Sequence, residues 1–295
     1  MLNNMGNTAS ASDPDNFIAE KSNDTQMVTT RSSLNGSSEL EKVESKEESA
    51  PENVHHYDSA GDMPQEIRKY WHQRYDIFSR WDKGIQLTDE SWYGVTPEPV
   101  ANKIAHHLAL STPPHITTLI DLFTGAGGNA IAFALTNRWT RIFAIERSPT
   151  VLATAKHNAR IYGVEKRIWF IEGDCFEVLR KRLKAVVKEG AVLFGSPPWG
   201  GPGYTGQEVF GVERMEPYGL GELVGLRGKG GRVVLYLPRT SDLNEVARRW
   251  EGIEREEGGE GKGLGKVRVV HYCMHGASKA LCVYFGDFDF SSLER

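Results

Sequence analysis

Residues 121–130 read DLFTGAGGNA, an apolar run that stops at a carboxylate and passes into a turn with three glycines. Glycines there let the backbone approach a ligand, and a helix opened by the turn offers unpaired amides to it. A second apolar run, RIFAIE, ends at Glu146, about 20 residues on, where a carboxylate can accept hydrogen bonds from both hydroxyls of a ribose. A third, RIWFIEGD, ends at Asp174. A glycine turn and two acids at three successive strand ends describe a nucleoside pocket. The turn lacks GxGxxG spacing and the chain has no GxxxxGK loop for a triphosphate, so a nucleoside ligand without phosphate is expected. A fourth run, AVLFGS, leads into GSPPWGGPGY, Gly195 to Tyr204, where two prolines stand directly before Trp199.

These residues converge only if the runs are neighbouring strands of one sheet. Strands are predicted over 116–123, 141–146, 167–174, 191–196 and 232–238, and helices over 129–137, 149–163 and 176–188, Gly163 closing the second. A long loop and a helix separate the last two strands. Such β-α alternation with nearly all-apolar strands implies an α/β fold, a mostly parallel sheet covered by helices on both faces. KVRVVHYCM and ALCVYFGDF, only a few residues apart, predict an antiparallel hairpin at the sheet edge, and EREEGGEGKGLGK before them a surface excursion. No internal repeat occurs.

Upstream, Ile67, Tyr70, Trp71, Tyr75, Phe78 and Trp81 recur near helical spacing after Pro64 and predict an amphipathic helix whose aromatic stripe packs on a neighbouring domain rather than on ligand. A second helix is predicted over 97–110, with Thr96 as N-cap, Pro97 in the first position and Glu98 in the first turn. The division expected is therefore a tail over 1–60, a helical extension over 61–115 and the α/β domain over 116–290.

Charge supports that division. The 295-residue chain carries a net −4, yet residues 1–60 hold 11 acidic and 4 basic residues. The remainder is net basic. The tail, rich in Ser, Asn, Glu and Thr, buries too little apolar area to offset its ordering entropy and is expected to be disordered. No run of about 20 apolar residues and no secretory leader pattern is seen, so no membrane association is expected. Cys175, Cys273 and Cys282 form no CxxC pair, which points to a reducing compartment and to neither disulfides nor a zinc site.

The turn DLFTGAGGNA resembles the first motif of the class I S-adenosyl-L-methionine-dependent methyltransferases, whose cofactor is a nucleoside without phosphate. The resemblance implies a Rossmann-like fold and a cofactor-binding turn made of Asp121, Thr124, Gly125, Gly127 and Asn129. Backbone at Gly125 and Gly127 would face the methionine moiety, Glu146 the ribose and Asp174 the adenine amine. SPPW resembles the motif of methyltransferases that modify amino groups of bases. An exocyclic amine has its lone pair delocalised into the ring and is a poor nucleophile until acceptors hold its hydrogens. Ser196 and the carbonyl of Pro197 can be those acceptors, the latter held in direction because the next residue is also proline. Trp199 offers a face for stacking the base, worth about 1 to 3 kcal/mol.

Over roughly 62 to 287 the sequence resembles the trimethylguanosine synthases, the cap hypermethylases. RKYWHQRYDIFSRWDKGIQL, ESWYGVTPEPVANKIA, DLFTGAGGNAIAFAL, NARIYGVEKRIWFIEGD, GSPPWGGPGY and LPRTSDLN carry the likeness in the family's order. It implies two methyl transfers to N2 of a 7-methylguanosine cap on small nuclear and nucleolar RNAs. Trp199 would stack the cap, Tyr204 and Arg239 would face its phosphates, and Tyr93 and Thr96 would cover the cofactor. A nuclear or nucleolar location, delivery of the RNA by ribonucleoprotein partners and a monomeric state are expected. Two departures stand out, Gly203 where the family often has an acidic or polar residue and Glu146 where aspartate is common. SPPW also suits an adenine-N6 or unmethylated guanine-N2 methyltransferase, and a non-catalytic cap-binding or adaptor protein would keep the same fold.

Overall fold

The computed structural model describes residues 53–200, 208–258, 267–274 and 276–293. Most of the tail, with Gly203, Tyr204 and much of the glycine-rich excursion, lies outside them. The first strand, β1 (Val54–His55), pairs antiparallel with β2 (Leu87–Thr88), and Tyr57 is buried with its hydroxyl donating to Asp89 at 2.7 Å. The described residues therefore include the last eight of the stretch assigned to the tail.

The single helix expected after Pro64 is instead a chain of short turns. A 3-10 turn over Arg68–Gln73 runs into α1 (Arg74–Ile77), Phe78 is extended, and a second 3-10 turn covers Trp81–Lys83. A continuous helix would spread Ile67 to Trp81 along about 21 Å. The breaks let the aromatics converge. Trp81 meets His56 at 4.9 Å, Trp92 at 5.1 Å and Trp71 at 6.1 Å between ring centroids, whereas Phe78 turns toward Tyr162. Burial of those large rings outweighs the helical preference of the segment.

After α2 (Ser91–Gly94) comes α3 (Glu98–Ser111), whose N-cap is Pro97 with no side-chain cap. Thr96 is not the capping residue. Its buried hydroxyl accepts from Asn129 Nδ2 at 3.0 Å.

The main sheet begins with β3 (Thr118–Asp121), followed by α4 (Gly128–Leu135), β4 (Arg141–Glu146), α5 (Pro149–Ile161), β5 (Trp169–Glu172), α6 (Cys175–Lys181), α7 (Lys184–Gly190) and β6 (Val192–Gly195). Then come α8 (Leu220–Gly225), β7 (Arg232–Pro238), α9 (Leu243–Glu256), β8 (Arg268–Met274) and β9 (Ala277–Phe285). Strand order is β5-β4-β3-β6-β7-β9-β8, parallel from β5 to β7 and antiparallel at β9 and β8.

Alternation along the central strands divides the core in two. Leu119, Val192, Phe194 and Val234 face α3, α4 and the N-terminal aromatics, while Ile120, Leu193, Val233 and Leu235 face α6, α8 and α9. The N-terminal segment therefore shares one core with the sheet.

Two further differences concern helices. The helix expected over 176–188 breaks at Arg182, where Leu183 turns into the core and its N–H bonds back to Val178 O at 3.0 Å. Helix α9 was not anticipated from the sequence. Asp242 caps it by accepting from Asn244 N and Glu245 N, and Val246, Trp250 and Ile253 form its buried stripe.

Candidate functional site

The chain leaves β3 for β4 on one side and returns to β6 on the other, so β3 is the topological switch point, where open α/β sheets bind ligands outside the carboxyl ends of their strands. A cavity of about 750 Å³ lies there. Thr124, Gly125 and Asn129 reach it from the turn after β3, Glu146 from β4, Asp174 from β5, and Ser196, Pro197 and Trp199 from β6. Tyr93 and Thr96 close it from the N-terminal segment.

Backbone hydrogen bonds hold the acids. Glu146 Oε2 accepts from Gly125 N at 2.9 Å and Oε1 from Ser148 N at 3.0 Å. A carboxylate has about four acceptor positions, so two remain for a vicinal diol. Asp174 caps α6, Oδ1 accepting from Phe176 N at 3.0 Å and Glu177 N at 3.1 Å.

The turn itself is strained into place by glycine. Gly125 has φ 53° and Gly127 φ 93°, both in the left-handed region that side chains disfavour. Only Gly125 faces the cavity as expected. Gly127 instead packs on α5, where a Cβ would stand 3.3 Å from the Ala155 backbone. Asn158 of α5 supports the same turn from beneath, its Nδ2 donating to Ala126 O at 3.0 Å and to Gln86 O at 2.9 Å while Oδ1 accepts from Gln86 N at 2.9 Å.

Asp121 was expected to face the cofactor but lies fully buried under the turn, outside the cavity lining. Burial pushes its carboxyl up to about 7, opposed by the Phe123 N–H and reinforced by the Glu146 charge. Trp199 is anchored by its indole, Nε1 donating to Tyr236 O at 3.3 Å with the rings 5.4 Å apart. Arg239 is exposed just after β7 and does not line the cavity.

Several lining residues went unrecognised in the sequence, among them Lys69, Tyr70, Arg147, Cys175, Pro217 and Tyr218. Tyr70 belongs to the aromatic stripe, which divides its members between packing and the cavity wall. Burial and the Asp174 charge push the Cys175 thiol up to about 12, so it stays protonated and is no nucleophile.

The polar atoms left over suit S-adenosylmethionine. Thr124 Oγ1 and Asn129 Oδ1 are buried without a partner beside the turn, and Glu146 keeps two acceptor positions. An acceptor such as Asn129 Oδ1 matches an ammonium, and the Glu146 carboxylate matches a ribose. No group of three His, Cys, Asp or Glu side chains placed to hold a metal occurs among the described residues.

Strand order, switch point and polar lining together define a Rossmann-like, S-adenosylmethionine-dependent methyltransferase. Residues 116–288 match the model of a family described as RNA cap guanine-N2 methyltransferase. The trimethylguanosine synthase of Schizosaccharomyces pombe is 36% identical over 225 residues, 76% of this chain and 87% of its own. That of Saccharomyces cerevisiae is 36% identical over 226 residues, 76% of this chain and 68% of its own. A solved RNA methyltransferase from Salinibacter ruber, in complex with S-adenosyl-L-homocysteine, is similar over 65% of this chain and 92% of its own, with 21% identity and a TM-score of 0.38. The chain belongs to the RNA cap guanine-N2 methyltransferases, and capped RNA is its substrate.

Proposed function

We propose that this enzyme methylates the exocyclic N2 of a 7-methylguanosine cap twice, in separate turns, producing 2,2,7-trimethylguanosine on small nuclear and nucleolar RNAs. The observation that carries the reading is that Glu146 and Asp174 share one cavity with Ser196, Pro197 and Trp199. When bound, S-adenosylmethionine supplies an electrophilic methyl group.

The residues around it prepare the amine. Ser196 Oγ and the Pro197 carbonyl accept the N2 hydrogens and redirect the lone pair out of conjugation. Trp199, its plane set by the bond to Tyr236, stacks on the purine. The N7 methyl group makes that purine cationic, so the indole adds a cation-π contribution of about 0.5 to 2 kcal/mol. The same positive charge eases loss of the N2 proton to solvent water, so no strong base is required.

Gly125 and Asn129 hold the methionine moiety, Glu146 the ribose and Asp174 the adenine amine, with Tyr93 and Thr96 covering them. Arg239 binds the cap phosphates, supported by the parallel pairing of β7 with β6, Leu235 opposite Gly195, which puts both strands' carboxyl ends at the same edge of the sheet. Tyr204, proposed for the same phosphates, lies outside the described residues. The enzyme acts in the nucleus or nucleolus as a monomer, on RNA delivered by ribonucleoprotein partners.

The test is to incubate the protein with S-adenosylmethionine and 7-methylguanosine-capped RNA, beside the same RNA with an unmethylated guanosine cap, and to read cap nucleosides by mass spectrometry. Gain of two methyl groups on the first substrate alone is the expected result. Equal transfer to both would overturn the dependence on prior N7 methylation.

A further inference from the structure

Residues 208–219 follow the SPPW loop, and Tyr218 among them lines the cavity without a chemical role so far. Its ring lines the cavity, next to Pro217. Its hydroxyl donates to Asp174 Oδ2. Its ring also meets that of Phe176, with ring centroids 4.0 Å apart and planes inclined by 36°. Phe176 is in turn bound to Asp174 through its own backbone N–H at 3.0 Å. Asp174, Phe176 and Tyr218 therefore close a three-membered cycle: cap, ring contact and phenol bond.

The cycle has a consequence for the carboxylate. Asp174 receives three donors, two on Oδ1 from the start of α6 and one on Oδ2 from Tyr218. With about four acceptor positions on a carboxylate, one remains, on Oδ2. Without the phenol, Oδ2 has a second open position that water can fill, and only the cap would orient the group. We propose that Tyr218 is a positioning residue for the cofactor, holding Asp174 Oδ2 so that its remaining acceptor position reads the exocyclic amine of adenine. This rests on the assignment of Asp174 to adenine.

Tyr218→Phe removes the phenol bond and keeps the ring on Phe176, so the wall survives. Dissociation constants are measured calorimetrically on the full chain for S-adenosylhomocysteine and S-inosylhomocysteine, in which a carbonyl oxygen replaces the adenine amine. The wild type should prefer the adenosyl compound. The variant should bind it about fivefold to twentyfold more weakly, less than the roughly tenfold to hundredfold of losing a hydrogen bond to a charged group outright because Asp174 itself stays, with the inosyl compound changed less than about twofold. In turnover, KM for S-adenosylmethionine should rise by more than kcat falls.

Adenosyl affinity unchanged or tighter in the variant would overturn the proposal, because the phenol would then compete with adenine. Equal weakening of both ligands would also overturn it, leaving Tyr218 as wall alone. A wild type that does not distinguish the two ligands would remove the Asp174 assignment and the proposal with it. The cap methylation assay is independent of that outcome. Should Tyr218→Phe not fold, Phe176→Leu, which loosens the ring contact but keeps the phenol, should erode the same preference. A fully retained preference in Phe176→Leu would overturn the proposal.

Discussion

The backbone N–H of Gly125 donates to Glu146 Oε2 at 2.9 Å, which ties the turn after β3 to the end of β4. The acid proposed to read the ribose also braces the glycine turn, so one substitution should disturb both. Glu146→Ala is expected to weaken S-adenosylhomocysteine binding by about a hundredfold or more, as for loss of two hydrogen bonds to a charged group at about 1.5 to 3 kcal/mol each. Calorimetric titration checks it. Affinity within about twofold of wild type would remove Glu146 from the cofactor site.

Trp199 is expected to act on the cap and not on the cofactor. Trp199→Ala removes the stacking face and should abolish detectable cap binding and methyl transfer. Base-aromatic stacking of about 1 to 3 kcal/mol corresponds to roughly fivefold to 150-fold in affinity before any loss of orientation. S-adenosylhomocysteine binding should change far less. Fluorescence titration with a 7-methylguanosine cap analogue separates the two, and retained cap affinity would count against the stacking role.

Asn158 should matter to stability and cofactor affinity together. It makes three hydrogen bonds to Gln86 and Ala126 and is fully buried. Asn158→Ala leaves those backbone groups without partners, at about 1 to 3 kcal/mol for each buried group that water does not reach. A lower melting temperature and weaker S-adenosylhomocysteine binding are expected. A variant as stable as wild type would show that water replaces the amide fully.

Asp121 predicts a pH dependence with a definite sign. Its folded-state pKa of about 7 stands above the ordinary carboxyl value of 3.8, so between those limits the folded protein holds a proton that the unfolded chain has lost. Stability from this group therefore falls as pH rises through that window and levels off above about 7. Asp121→Asn should lose that component. Melting temperatures from pH 5 to 8 should move in favour of the variant as pH rises, and a constant difference would reject the raised pKa.

Much of the fold was legible because it rests on local pattern. RIFAIE and RVVLYLP are strands over the residues anticipated, 141–146 and 232–238, since runs buried on both faces are apolar throughout. The glycine turn, Glu146, Asp174, Ser196 and Trp199 were legible for a related reason. Each stands at the end of such a run, and parallel strands bring their carboxyl ends to one edge.

Long-range packing decided the rest. Ile67 to Trp81 has helical spacing, yet the converging tryptophans impose short turns that no local signal encodes. Thr96 looks like a cap, and only the approach of Asn129 from α4 gives its hydroxyl another partner. Gly127 and Asp121 lie in the expected motif, but the contact with Ala155 and full burial set them apart from the cavity. Tyr218 lies 44 residues from Asp174, in a segment without a motif, and only the folded chain brings the phenol to the carboxylate. The sequence by itself determined which residue types stand at the strand ends, because burial and turn chemistry act over a few residues. The tertiary structure decided which of those side chains face the cavity, because that depends on partners distant in the chain.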